Sequence, residues 1–418
     1  MRWLTRVRVS AGMWLTPLVA LLVAANLGGQ EGSGEGYRLA VATRDSFDLL
    51  LATGLCALAG AWEGGRLRRA GVLTWPRRRS VPRVLAAPWL MSVVSATAVA
   101  VIVFARHRAF SGGASMAVVT TTILSLWVWA LAGIAAGLWS PPVVALPVSF
   151  AVPVLWLILA PVNSVPWLRH LNGDWVVCCQ VDQTLAPAAV TGTLTVLAGV
   201  LVAAGLAIWG RSRTMSRSVR LSIGPGVVAA LALGLVLGGV QVHHLGWEPV
   251  DPRHAAVACT TGERVTVCVL PEHDGQARHI VSLADAAFSR WQVYGVRTPT
   301  SLTEATGLEP GSRDAAALVA NARYDTDFDI LNQVSQALAT ASYQAPGTQV
   351  PVEVIQRQQR AQAWLVRSAG AQVGGGMDAA RFGLDREARD WATALLVKPR
   401  AQQGRTVNAD LDYLAACR

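Results

Sequence analysis

Lysine is all but absent from this chain: of 36 basic residues only Lys398 is not an arginine. It sits in LLVKPRA, so no GxxxxGK[ST] loop exists. Without a P-loop lysine to reach the phosphates, the chain is not a P-loop ATPase by itself. HExxH, GxSxG and GxGxxG are missing too, which removes common signatures of zinc peptidases, serine hydrolases and dinucleotide-binding folds. Charge is scarce overall: 15% of residues are charged and 52% hydrophobic, against about 25% charged in an average globular chain. Inside the long apolar runs it nearly vanishes. Asp48 lies close to one end of such a run and Glu63 just past the end. Proton-coupled carriers bury acids or histidines as relays, so proton coupling is disfavoured. Sodium coupling through backbone carbonyls stays open.

What is present is apolar and arginine-flanked. Arg211, Arg213, Arg217 and Arg220 precede 22 residues, through Val242, that carry no formal charge. That is about 33 Å of helix, enough for a hydrocarbon core of about 30 Å. Arginines beside a span mark the cytoplasmic side, so this helix starts inside and delivers the chain outside. Six apolar runs come before it: Gly12–Leu27, Phe47–Trp62, Val84–Phe104, Met116–Trp139, Val143–Val162 and Ala186–Trp209. Together they predict a polytopic α-helical membrane bundle over residues 1–243, with about seven spans, the N-terminus inside and the C-terminus outside. The first run fits the core of a cleaved signal peptide as well. The net charge of +10 divides unevenly, since residues 1–242 hold 19 arginines and 7 acids. Of those arginines 14 fall in segments placed inside and five in segments placed outside. The positive-inside rule accounts for that excess without a nucleic-acid partner. Gly133–Gly137 and Gly234–Gly238 have the spacing that lets membrane helices approach closely.

Residues 244–418 predict a mainly α (α+β) extracytoplasmic domain. Ala255–Cys259 and Arg264–Leu270 alternate around Thr260–Glu263, which reads as a β-hairpin. Apolar stripes at helical spacing follow: Ile280 to Trp291, Phe328 to Leu338, Leu384 to Leu395 and Val407 to Leu414. Gln356–Arg367 reads as a helix polar on most faces, and 295–311 and 344–351 as loops. Five of the six cysteines, all but Cys56, fall in segments placed outside, where disulfides form. Cys259 and Cys268 are the favoured pair. A four-residue turn at 260–263 does not set them opposite, so Cys417 competes. Cys178 and Cys179 pair with each other or give one partner to the domain. His243, His244, His254, His273 and His279 with Glu272 suggest zinc only loosely, because their spacing fits no standard ligand pattern. Asp325, Asp327 and Asp329 lack the glycine and distal Glu of a calcium loop and read as helix N-terminal charge. No catalytic residue, metal or cofactor is expected.

The basic stretch between the second and third runs is either topogenic charge or a docking site. Its phrase AWEGGRLRRAGVLTWPRRRSVPRVLAAPW, residues 61–89, resembles membrane subunits of bacterial type-2 ABC transporters. The likeness spans about residues 1–210 and points to a permease-like protein of GC-rich Gram-positive bacteria. It implies a multi-pass protein of the cell membrane that works, as a dimer or hetero-oligomer, with a separate cytoplasmic ATPase. Carried over by position, Glu63, Arg66, Arg68 and Arg69 are implied to meet that ATPase. The seventh span and the external domain depart from the family pattern. They leave open a second reading, a membrane-anchored scaffold or sensor, and a third, a hydrolase using the histidine-rich hairpin.

Overall fold

The computed structural model describes residues 10–27, 37–71, 80–106, 109–110, 113–162, 165–175, 178–211, 217–304, 315–318, 324, 326–340, 350–370 and 385–416. Twelve α-helices are among them. In chain order these are α1 (Ala11–Leu27), α2 (Arg38–Arg69), α3 (Val81–Arg106), α4 (Gly113–Trp139), α5 (Pro142–Val162), α6 (Pro187–Gly210), α7 (Arg217–Val242), α8 (Ala277–Val293), α9 (Asp327–Ala339), α10 (Val352–Ser368), α11 (Arg386–Leu396) and α12 (Arg400–Ala416). Strands are short: β1 (Gln183–Leu185), β2 (Val250–Pro252), β3 (Ala258–Thr261), β4 (Thr266–Val269), β5 (Ser301–Thr303) and β6 (Ala315–Ala317). The chain divides into two compact units, Met1–Cys179 with Gln183–Asp251, and Gln180–Asp182 with Pro252–Arg418. The boundary expected at 243/244 thus falls after Asp251, and a three-residue excursion belongs to the second unit.

Six helices of the first unit are long and apolar enough to cross a membrane; α1 is a shorter apolar helix. Hydropathy alone does not hold such helices together in lipid, so close backbone contact matters. Glycines supply it. A Cβ on Gly133 would lie 2.0 Å from the Ala57 carbonyl oxygen, and one on Gly137 2.1 Å from that of Ala61. In return, a Cβ on Gly60 or Gly64 of α2 would lie 2.1 or 2.3 Å from the carbonyl oxygens of Ala130 and Ile134. Increasing numbers on α2 meet increasing numbers on α4, so the two run parallel. Gly234 packs on Gly199, and Gly238 on Gly192, which joins α6 and α7 antiparallel. Both glycine pairs picked out in the sequence therefore sit at helix contacts. Gly12 of α1 lies against Met91 and Ser92 of α3, and Ser95 donates to its carbonyl at 3.0 Å. The first apolar run is thus a packed part of this unit.

The second unit has a four-stranded sheet in the order β3-β4-β5-β6. β3 and β4 are antiparallel, but β4, β5 and β6 run parallel. This corrects the expectation of a hairpin packed on helices, because β5 lies inside a segment read as loop. α8 supplies the crossover that parallel strands require. It presents Ile280, Ala284, Ala287, Phe288 and Trp291 to a core shared with Val267, Leu302, Val334 and Trp364. The hairpin turn is displaced as well. Thr261 pairs with Thr266 and Cys259 directly with Cys268, and the two cysteines form a disulfide with Cα atoms 4.0 Å apart. Asp285 of α8 explains the shift: its carboxylate accepts the backbone N–H groups of Glu263, Arg264 and Val265. Cys178 and Cys179 are disulfide-bonded to each other, and Cys56 is free and buried in α2. Cys417 lies outside the described residues. α10 is less polar than its sequence suggested, since Ala361, Ala363, Trp364, Leu365 and Val366 are all buried.

Candidate functional site

α2 is 32 residues long, or about 48 Å, some 18 Å more than a hydrocarbon core needs. It is also the most enclosed of the apolar helices, with 78% of its apolar window buried. Its last two turns carry Glu63, Arg66, Arg68 and Arg69. These four residues lie beyond the apolar run Phe47–Trp62, yet they continue the same helix to its end. Three features hold that end helical. Gly64 packs on the Ile134 backbone, arginines in the last turn complement the negative helix terminus, and Gly71 at φ 63° closes the helix by donating to the Arg68 carbonyl.

The four side chains are placed differently. Glu63 is 6% exposed and accepts from Arg66 Nη1 at 3.1 and 3.2 Å. Arg68 is half-buried and Arg69 exposed. Beneath them Leu67 packs with Leu85, Ile134, Leu138 and Ile208 from α3, α4 and α6. At the same end, Trp139 Nε1 donates to the Ala207 carbonyl at 2.8 Å. Arg211 Nε donates to the Leu138 carbonyl at 3.1 Å, and its guanidinium sits 4.9 Å from the Trp139 ring centroid. The unit thus gathers the C-termini of α2, α4 and α6 at one basic end, and Leu67 braces the last turn of α2 against it. Arg77, Arg78 and Arg79 lie outside the described residues.

The second unit holds a polar cluster that the sequence did not single out. Glu304 follows β5 and is 1% exposed. Its carboxylate accepts from the Leu270 backbone N–H at 2.8 Å, from His273 Nδ1 at 2.8 Å and from the Tyr324 hydroxyl. The His273 and Tyr324 rings meet edge to face at 5.0 Å. No periodicity could announce this cluster, because its members are scattered over 55 residues. His279 pairs with Asp327, and His243 with the Val240 carbonyl. Among the described residues, no three His, Cys, Asp or Glu are placed to hold a metal. Asp329 closes a capping box with Thr326 at the start of α9; Asp325 lies outside the described residues.

Residues 267–417 match the model of a domain of unknown function, DUF7224. The match begins inside β4 and takes in α8 to α12, so it covers the Glu304 cluster and leaves out β3. No curated protein and no solved structure matches the chain.

Burial, with the Glu304 carboxylate beside it, holds the Tyr324 hydroxyl well above its ordinary pKa. A folded-state value above the unfolded one, near 10, gives stability that is intact below that pH and lost as pH rises beyond it. Melting of the second unit should therefore fall more steeply between pH 9.5 and 11 (an order-of-magnitude window) in the natural protein than in Tyr324→Phe. Equal slopes would place Tyr324 in solvent.

Proposed function

We propose that this protein is the membrane subunit of an ABC-type exporter, driven by a separate cytoplasmic ATPase, and that the basic end of α2 is where the ATPase docks. The observation that carries the reading is the braced end of α2: a helix overlong for lipid, anchored by glycine contacts, ending in Glu63, Arg66, Arg68 and Arg69. A braced helix transmits a push from its tip into the bundle, where a flexible loop would absorb it. In this reading the bundle has about seven spans in the cell membrane, the N-terminus inside and the C-terminal unit outside. Arginine placement supports that orientation, and the two disulfides fit an oxidising compartment for the segments that carry them. A pair of such subunits, alike or different, would complete the machine.

Tagged protein solubilised in mild detergent should bring down a P-loop ATPase. Reversing Arg68 and Arg69 to Glu should cut that recovery about tenfold, the scale expected for two charge reversals at an interface, while leaving Glu63–Arg66 and membrane insertion intact. Recovery of no ATPase, with the reversals altering insertion alone, would end the reading.

The second reading is a membrane-anchored scaffold or sensor. It is favoured by the separate core and disulfide of the second unit. Loss of phenotype on deleting residues 252–418, with ATPase recovery unchanged, would support it.

A further inference from the structure

The basic end of the first unit has almost no negative charge of its own. Residues 61–89 and 205–221 hold eleven arginines and one acid, Glu63, and Glu63 is already paired with Arg66. A field of one sign at that density collects anions. Within it Arg211 is held on three sides. Its backbone N–H donates to the Ile208 carbonyl and closes α6. Its Nε donates to the Leu138 carbonyl in the last turn of α4. One face of its guanidinium lies over Trp139, as cations settle on indoles, and Trp139 is fixed in turn by its Nε1 on the Ala207 carbonyl. Gly210 makes room for the packing around it: a Cβ there would lie 2.5 Å from Ile223 of α7 and 3.4 Å from the Trp139 ring.

What these contacts leave over is the fork of Nη1 and Nη2 on a half-buried side chain. Among the described residues no acceptor meets either nitrogen. A guanidinium always carries its charge, and its fork matches two oxygens of a phosphate in one plane. Being fixed beforehand, it loses little freedom when a ligand arrives. The surroundings indicate which phosphate. Trp139 and Trp209 are 43% and 53% exposed at the ends of two helices long and apolar enough to cross a membrane. Indoles so placed border lipid at the level of its headgroups. An inorganic anion would gain nothing from them, whereas a phospholipid brings glycerol and acyl chains for them to cover. A zwitterionic lipid would carry its own cation into a field of arginines; an anionic one would not.

We propose that Arg211, Trp139 and Trp209 form a binding site for an anionic phospholipid of the phosphatidylglycerol class, with the guanidinium fork on the phosphate and the indoles against the glycerol and upper acyl chains. The site rests only on the apolar helices lying in a membrane and holds for either fate of the ATPase reading. It is tested by native mass spectrometry of the full-length protein in mild detergent, titrated with phosphatidylglycerol, with phosphatidylcholine of the same acyl chains, and with inorganic phosphate alone. The natural protein should bind phosphatidylglycerol saturably, with about tenfold preference over phosphatidylcholine, the scale of a charge-assisted hydrogen-bonded pair. Arg211→Leu should abolish that preference. Arg83→Leu removes an equal charge from an exposed position at the same end and should change the preference by less than about twofold, as one screened surface charge does. The site is overturned by equal binding of the two lipids, by a preference that survives Arg211→Leu, or by one that Arg83→Leu removes as completely, which would reduce it to diffuse charge. Displacement of the lipid by inorganic phosphate would overturn it too, since the indoles would then contribute nothing. Should Arg211→Leu not stay monodisperse, Arg211→Lys decides: it keeps the charge without the fork and should weaken the preference about threefold, and an unchanged preference would overturn the site.

Discussion

Gly64→Ala should cost the full-length protein most of its folded yield, and Gly65→Ala, one residue away, almost nothing. A methyl at Gly64 would sit 2.3 Å from the Ile134 carbonyl oxygen, whereas one at Gly65 meets nothing within 4 Å. The obstacle at Gly64 is backbone and cannot rotate aside. The helices would have to part along a seam that also includes Gly60, Gly133 and Gly137. Overpacking costs about 1–3 kcal/mol in a soluble core, and more where backbone must move. Loss here should lie at or above the top of that range, because lipid offers no hydrophobic drive to hold separated helices together. Monodispersity on size exclusion and the thermal midpoint in detergent read the difference. A Gly64→Ala protein as stable as its Gly65→Ala neighbour would mean that α2 and α4 do not meet as described.

Glu304→Leu should unfold the second unit or come close to it. Three donors converge on that carboxylate: the Leu270 N–H, His273 Nδ1 and the Tyr324 hydroxyl. Removing the acceptor leaves all three buried and unpaired, at about 1–3 kcal/mol each, against a typical domain stability of about 5–15 kcal/mol. Glu304→Gln keeps the shape and one carbonyl acceptor and should lose about half as much, on the order of 2–4 kcal/mol. Limited proteolysis should cut Glu304→Leu within residues 252–418 while leaving the first unit intact. Resistance equal to that of the natural protein would show the three donors to be satisfied by other groups.

Legibility in the sequence followed the physical strength of each signal. Apolar runs and helical stripes were plain, because burial in lipid or in a core demands them over many residues. Gly133–Gly137 and Gly234–Gly238 were visible, but their partners were not: Ala57, Ala61, Gly199 and Gly192 lie on other helices. Both ends of α2 were missed. Its first turns carry Arg38, Arg44, Asp45 and Asp48, which lower hydropathy below what a lipid-facing helix shows. Asp45 and Asp48 are nevertheless buried, and Thr43 Oγ1 donates to the Cys178 carbonyl at 3.0 Å. Strands β5 and β6, three residues each, are too short for a period of two to register. The Cys259–Cys268 pairing was read correctly although the turn was misplaced. What moved the turn was Asp285, which no local pattern connects to it. Glu304 illustrates the same limit: a lone acid in a loop acquires meaning only when His273 and Tyr324 are folded onto it.

Docking of a cytoplasmic ATPase requires the end of α2 to face the cytoplasm, and labelling in intact cells measures that directly. Single-cysteine proteins carrying Arg69→Cys or Val397→Cys, the latter at a position 85% exposed, would be treated with a membrane-impermeant maleimide. Val397→Cys should react at once and Arg69→Cys only after permeabilisation. Immediate reaction of Arg69→Cys, with Val397→Cys protected, would set the arginines at the end of α2 outside, beyond reach of any cytoplasmic ATPase, and contradict the proposed function.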